Sequence, residues 1–200
     1  EGENLTPTPE ATVDLLLDEH FPGSLREEAQ QRNFSPTDVR NDELDQPEVS
    51  FITNSKVATA IASFGNFKAA GPDEIQPIIL KHMGGKALYR LTRIFKACII
   101  LGYVPKCWRE AKVIFIPKEG KKDYSQVRSF RPITLSSFLH KTLERIIVWF
   151  LDETVFPDNP ISDRQHAFRK GYGTETALSS LVYEVEKALS ENMYALGVFL

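Results

Sequence analysis

Three stretches of the chain carry residue types suited to chemistry on a polyanion. In the first, Ile116-Pro117-Lys118 is followed by Glu119-Gly120-Lys121-Lys122 and then by Phe130-Arg131-Pro132-Ile133-Thr134-Leu135. Lys118 stands where one strand-like run ends, and Arg131 where the next begins. If the two runs pair as a hairpin, the two cations sit near each other across its loop. Lysine supplies a compact charge and arginine a planar fork that grips two oxygens at once, a combination suited to a triphosphate. The competing reading is a solvated loop tip whose lysines block unwanted strand pairing.

The second stretch runs from Gln165-His166-Ala167-Phe168-Arg169-Lys170-Gly171-Tyr172-Gly173 into Thr174 and a helical pattern. Backbone N–H groups at a helix start can meet a phosphate. Phe168 and Tyr172 can stack on bases or sugars, while Arg169 and Lys170 meet a phosphodiester backbone. An aromatic such as Phe168 more often belongs to a core, and His166 has no Ser or Cys partner at a telling spacing. The third stretch is Ala69-Ala70-Gly71-Pro72-Asp73-Glu74. There Gly71 allows unusual backbone angles, Pro72 stiffens the turn and Asp73 is placed to cap a following helix.

Other chemistries lack their residues. There is no Walker-type loop, no GxGxxG, no HExxH and no zinc spacing. Asp73, Asp123 and Asp163 all fall in loops, and no clear carboxylate pair offers itself to metal ions. Cys98 and Cys107 are too few for a disulfide framework and are expected as reduced thiols. No apolar run approaches the ~18 residues that a membrane span needs.

The net charge of −3 hides an asymmetry. Residues 1–50 hold 13 acids and 3 bases, whereas residues 51–200 hold 14 acids and 21 bases. Between Lys81 and Arg145 the excess reaches +11. An acidic, Pro-containing head beside a basic body predicts a linker over 1–50, partly disordered, with residues 25–50 extended or disordered, and a polyanion-binding domain over 51–200.

Periodicity supplies the elements that must position these residues. Helices are expected over 10–18, from Asn54 to Gly65, over 76–83, and through Leu88, Leu91, Ile94, Phe95, Cys98 and Ile99 to Gly102. Ala111 to Pro117 and Arg131 to Leu135 are strand-like and can pair as a hairpin. A long helix capped by Ser136 follows, with Leu139, Leu143, Ile146, Ile147 and Phe150 inward. Another, capped by Thr174, turns Leu178, Leu181, Val182, Val185 and Leu189 inward and ends at Asn192. A final strand is expected from Tyr194. The order predicts an α+β fold, rich in helix with one β-hairpin. The chain starts at Glu1, has its first Met at Met83 and stops at Leu200 within an apolar run, which suggests a fragment of a longer product.

The ordered set of motifs resembles the reverse transcriptases of jockey-like non-LTR (LINE-type) retrotransposons. It comprises Ala69 to Asp73, Leu80-Lys81, Trp108, Ile116-Pro117-Lys118, Phe130 to Leu135, Lys141 with Leu143-Glu144-Arg145, Gln165 with Phe168-Arg169, and Thr174 with Ala177-Leu178. His20-Phe21-Pro22-Gly23 resembles the segment that precedes the polymerase in that family. The resemblance implies a right-hand polymerase, of which residues 51–200 supply the fingers and the start of the palm, incomplete at the C-terminus. Lys118 and Arg131 match finger residues that hold the incoming nucleotide's triphosphate. Gln165, Phe168 and Arg169, with Lys170 beside them, match a loop near template and nucleotide. Residues 195–200 match the strand that leads to the first catalytic aspartate.

The implied activity is RNA-directed DNA polymerisation. It would use Mg²⁺, deoxynucleoside triphosphates, an RNA template and a DNA primer, in an intracellular ribonucleoprotein of cytoplasm and nucleus. The chain departs from the pattern at Glu74, where Gly is usual, at His166-Ala167, and in lacking both catalytic Asp motifs. It is therefore expected to be inactive by itself, and it assigns no catalytic residue and no metal ligand. The alternative is a non-catalytic, nucleic-acid-binding remnant of a mobile element.

Overall fold

The computed structural model describes residues 8–22, 40 and 42–198. Contacts group the chain into two units, 1–149 and 150–200.

The first unit begins with α1 (Pro9–His20), which opens on a proline and is capped by Thr8, whose Oγ1 accepts the Ala11 N–H at 3.2 Å. Such a cap contributes about 1 kcal/mol. Two single-turn 3-10 helices follow, at Glu43–Asp45 and Pro47–Val49. Thr53 then caps α2 (Asn54–Ala62) through the Lys56 N–H at 3.1 Å. Next come α3 (Pro77–Lys81) and α4 (Gly85–Leu101). Gly102 stops α4 at φ 58°, with its own N–H on Ile99 O and the Tyr103 N–H on Cys98 O. A left-handed residue there favours glycine, which lets the chain satisfy the helix's last carbonyls.

A short helix, α5 (Lys106–Arg109), leads into β1 (Ala111–Pro117). The antiparallel partner β2 (Phe130–Ser136) pairs in register from Ala111 opposite Ser136 to Pro117 opposite Phe130. After β2 comes α6 (Phe138–Thr154), which runs across the boundary between the units. The core gathers Ile52, Val57, Ile61, Leu91, Phe95, Trp108, Phe138, Leu143 and Ile146. Phe95 and Trp108 meet edge to face with ring centroids 5.6 Å apart, a contact worth about 0.5–1.5 kcal/mol beyond burial. The second unit holds the end of α6, a turn-rich segment, and α7 (Thr174–Ser190). The result is the expected α+β chain, helix-rich with a two-stranded antiparallel sheet.

Several local expectations need correction. Residues 42–50 are not extended: their turns bury Leu44 and Val49, because two spaced apolar side chains suffice to anchor a short segment to a core. The cap of α6 is Ser137, whose Oγ accepts the Leu139 N–H at 3.1 Å, rather than Ser136, which still belongs to β2. Asp73 does not cap α3. Its Oδ1 takes the Ile75 N–H at 3.2 Å in a turn of its own, and Gln76 precedes the helix. Thr174 is the first residue of α7, and Thr176 rather than Thr174 accepts the Gly173 N–H, at 2.9 Å. No residue of α7 is buried, so its apolar stripe of Leu178, Leu181, Val182, Val185 and Leu189 is exposed. No strand forms over 194–198, since among the described residues none pairs with it; residues 199–200 lie outside them.

Candidate nucleotide and nucleic-acid interface

Pairing register decides what the hairpin presents. Lys112, Ile114 and Ile116 lie opposite Leu135, Ile133 and Arg131. One step further, the Lys118 N–H donates to Ser129 O at 2.7 Å. Side chains alternate along a strand, and the register continued one residue past β1 would set Lys118 and Arg131 on one face as diagonal neighbours. Ile114, Ile116 and Ile133 complete that face and are 40–47% exposed. Arg131 is exposed, and its guanidinium has no hydrogen bond or ion pair among the described residues. The Lys118 ammonium donates to the Arg128 carbonyl at 2.7 Å. Replacing that neutral acceptor by a phosphate oxygen would be favourable, because a charged acceptor makes a bond about twice as strong.

The loop between the strands is tied by its own residues. Tyr124 donates its hydroxyl to Lys118 O at 2.9 Å, and Ser129 donates to Asp123 O at 2.5 Å. Asp123 Oδ1 accepts both the hydroxyl and the N–H of Ser125, at 2.7 and 2.8 Å. These bonds, the hydroxyl's first, hold its carboxyl below the ordinary 3.8. Asp123 thus has a structural use in the loop.

The end of α1 braces the same hairpin. Glu19 pairs with Arg128 at 3.1 Å, His20 Nε2 lies 3.4 Å from Val127 O, and the His20 ring lies 5.7 Å from that of Phe115. Sequence reasoning missed this brace, which joins residues 95 to 109 positions apart and has no local signature.

In the second unit, Gln165 to Gly173 forms a compact turn. Arg169 lies over the Tyr172 ring at 4.0 Å and donates to Ser162 O at 3.1 Å, with Asp163 Oδ1 at 3.4 Å. His166 Nδ1 meets Thr176 Oγ1 at 2.9 Å, a structural contact. The Gln165 side-chain amide donates to Ala167 O at 3.4 Å. Arg169 is thus half-buried and braces the loop, while Lys170 is exposed. Phe168 is fully exposed at a φ of 57°, so it belongs to no core here. A bulky residue in the left-handed region costs roughly 1–2 kcal/mol. Lys118 and Arg131 lie on the hairpin of the first unit, and Gln165, Phe168, Arg169 and Lys170 in the turn of the second.

No family model matches the chain. It is 33% identical over 152 residues, 76% of its length, to the RNA-directed DNA polymerase from mobile element jockey of Drosophila melanogaster. The chain belongs with the RNA-directed DNA polymerases of non-LTR retrotransposons. It is also 30% identical over 145 residues to the probable RNA-directed DNA polymerase from transposon BS of the same fly. A match at 28% over 96% of the chain is to the retrovirus-related Pol polyprotein from type-1 retrotransposable element R1 of Bradysia coprophila. The chain spans 16–18% of the length of these curated relatives, and so corresponds to part of such a polymerase.

Among the described residues, no group of three or more His, Cys, Asp or Glu is placed to hold a metal ion. None of their helices is long and apolar enough to cross a membrane.

Proposed function

We propose that this chain forms the fingers and the start of the palm of a reverse transcriptase, where it receives the incoming deoxynucleoside triphosphate and contacts template and primer. The observation that carries this reading is the hairpin register, with Arg131 opposite Ile116 and the Lys118 N–H on Ser129 O, together with an exposed Arg131 side chain that has no hydrogen bond or ion pair among the described residues. A lysine point charge beside an arginine fork can hold adjacent phosphates of a triphosphate. Phe168 and Lys170, projecting from a braced turn, supply a stacking face and a charge for a template strand or primer.

The proposed reaction is transfer of a nucleotidyl group to a primer on an RNA template, assisted by divalent ions, Mg²⁺ foremost. The described residues do not fit as ligands for such ions. The part assigned to this chain is accordingly binding and orientation, and no catalytic step is drawn from it.

Titration of the chain with a deoxynucleoside triphosphate tests the reading. Lys118→Ala and Arg131→Ala should each weaken binding about tenfold, equivalent to ~1.4 kcal/mol, within the range for one partly shielded charge contact. In an intact polymerase carrying this segment, the same substitutions should raise the nucleotide KM or lower turnover. Unchanged nucleotide binding in both variants would refute the assignment.

A further inference from the structure

A second group of basic residues, which includes neither Lys118 nor Arg131, gathers around Phe64. The Phe64 and Phe138 rings meet edge to face at 5.1 Å. Arg145 lies over the Phe64 ring at 4.0 Å and donates to the Ser63 hydroxyl. One turn earlier on α6, the Lys141 ammonium lies over Phe138 at 4.6 Å. Lys81, from the end of α3, donates to Phe64 O at 2.6 Å and to Asn66 Oδ1 at 2.7 Å. The Lys68 side chain folds across Gly65, where a Cβ would come within 3.1 Å of its Cε. None of these four cations has a carboxylate partner among the described residues. Beside them Phe67 projects, 78% exposed.

Four uncompensated cations concentrate positive potential at one place. Three are held by rings or carbonyls rather than waving in solvent, so less side-chain freedom is lost when a ligand arrives. An exposed aromatic next to them is the other half of a single-strand binding surface: cations follow the phosphates, and a ring stacks on an unpaired base.

We propose that Phe67, Lys68, Lys81, Lys141 and Arg145 form a contact site for single-stranded nucleic acid, with Phe67 as the stacking platform and Lys68 and Arg145 as the principal phosphate contacts. The site deepens the template and primer part of the reading above, and it uses neither Lys118 nor Arg131.

The test is binding of a fluorescent single-stranded RNA of about 12 nucleotides to the 200-residue chain, measured over a range of salt concentrations. Phe67→Ala with Lys68→Ala, both at exposed positions, should lower affinity about tenfold or more. The same pair should make the slope of log K against log salt shallower by about 0.7, the value for one phosphate contact on a single strand. Arg145→Lys, which keeps the charge but loses the guanidinium over the ring, should fall between wild type and Arg145→Ala. Triphosphate binding should be unchanged in the Phe67 and Lys68 variants. Failure of the hairpin reading would show instead as normal triphosphate binding in Lys118→Ala and Arg131→Ala. Unchanged RNA affinity and salt slope in the Phe67 and Lys68 double variant would overturn the site. Equal affinity for a blunt RNA duplex would overturn its assignment to single strands.

Discussion

Gly71→Ala should destabilise the first unit although the added group is one methyl. Gly71 packs against the junction of β2 and α6, where a Cβ would lie 2.7 Å from both Ser136 C and Ser137 N and 3.0 Å from Ser136 O. Carbon contacts settle near 3.5–4.0 Å, so the junction must retreat by roughly 1 Å. Overpacking of this kind costs about 1–3 kcal/mol. The upper part of that range applies, because the atoms met are backbone and have no rotamer in which to escape. Gly71 does not have a positive φ, so alanine also stiffens the unfolded chain, an offset of about 0.4–1 kcal/mol. The net expectation is a loss of about 2 kcal/mol, or a fall in Tm of about 4–8 °C for a chain of this size.

Tryptophan fluorescence is a suitable assay, since both tryptophans, Trp108 and Trp149, belong to the first unit and Trp108 is buried in its core. Gly85→Ala is the control. Nothing lies within 4 Å of its added Cβ, and it opens α4, so it should be neutral or stabilising by up to about 1 kcal/mol. If Gly71→Ala melts within about 1 °C of wild type, or Gly85→Ala loses as much, the close-approach argument is wrong. The same displacement would move the root of the strand that carries Arg131, so triphosphate binding should weaken in step with stability.

Glu74 has a φ of 56°, and Glu74→Gly should raise stability by about 1 kcal/mol, a Tm gain of about 2–4 °C; a lower Tm would show that the side chain matters more than the backbone. Phe168→Ala should leave the melt unchanged, because the ring is fully exposed, yet weaken binding of a primer–template; unchanged binding removes Phe168 from the interface. Burial pushes the Cys98 thiol up to about 11, whereas Cys107 is exposed. At pH 8 a charged alkylating reagent should therefore label Cys107 alone, and double labelling of the native chain would contradict the burial. Asp123 has a depressed folded pKa, so its contribution to loop order is complete above the ordinary 3.8 and lost as pH falls through the lower folded value. The Ser125 amide resonance should follow that transition, and a midpoint at or above 3.8 would remove the claim.

Local chemistry made much of the molecule legible before its structure. Gly102 is a helix stop, and Val113 to Ile116, rich in β-branched residues, is a strand. Their preferences are decided within a few residues, so the chain's order of helices, hairpin and helix follows from sequence. The family resemblance also rests on sequence, in the spacing of Lys118, Arg131, Gln165 and Phe168-Arg169. What sequence could not decide were contacts between distant segments. The role of Gly71 depends on a backbone sixty-five residues away, and the basic cluster exists only because α6 lays Lys141 and Arg145 over Phe138 and Phe64. The hairpin brace from Glu19 and His20 spans still more chain. The apolar face of α7 shows the opposite case: its periodicity specified a buried stripe, but burial needs a second surface, and only tertiary packing supplies or withholds one.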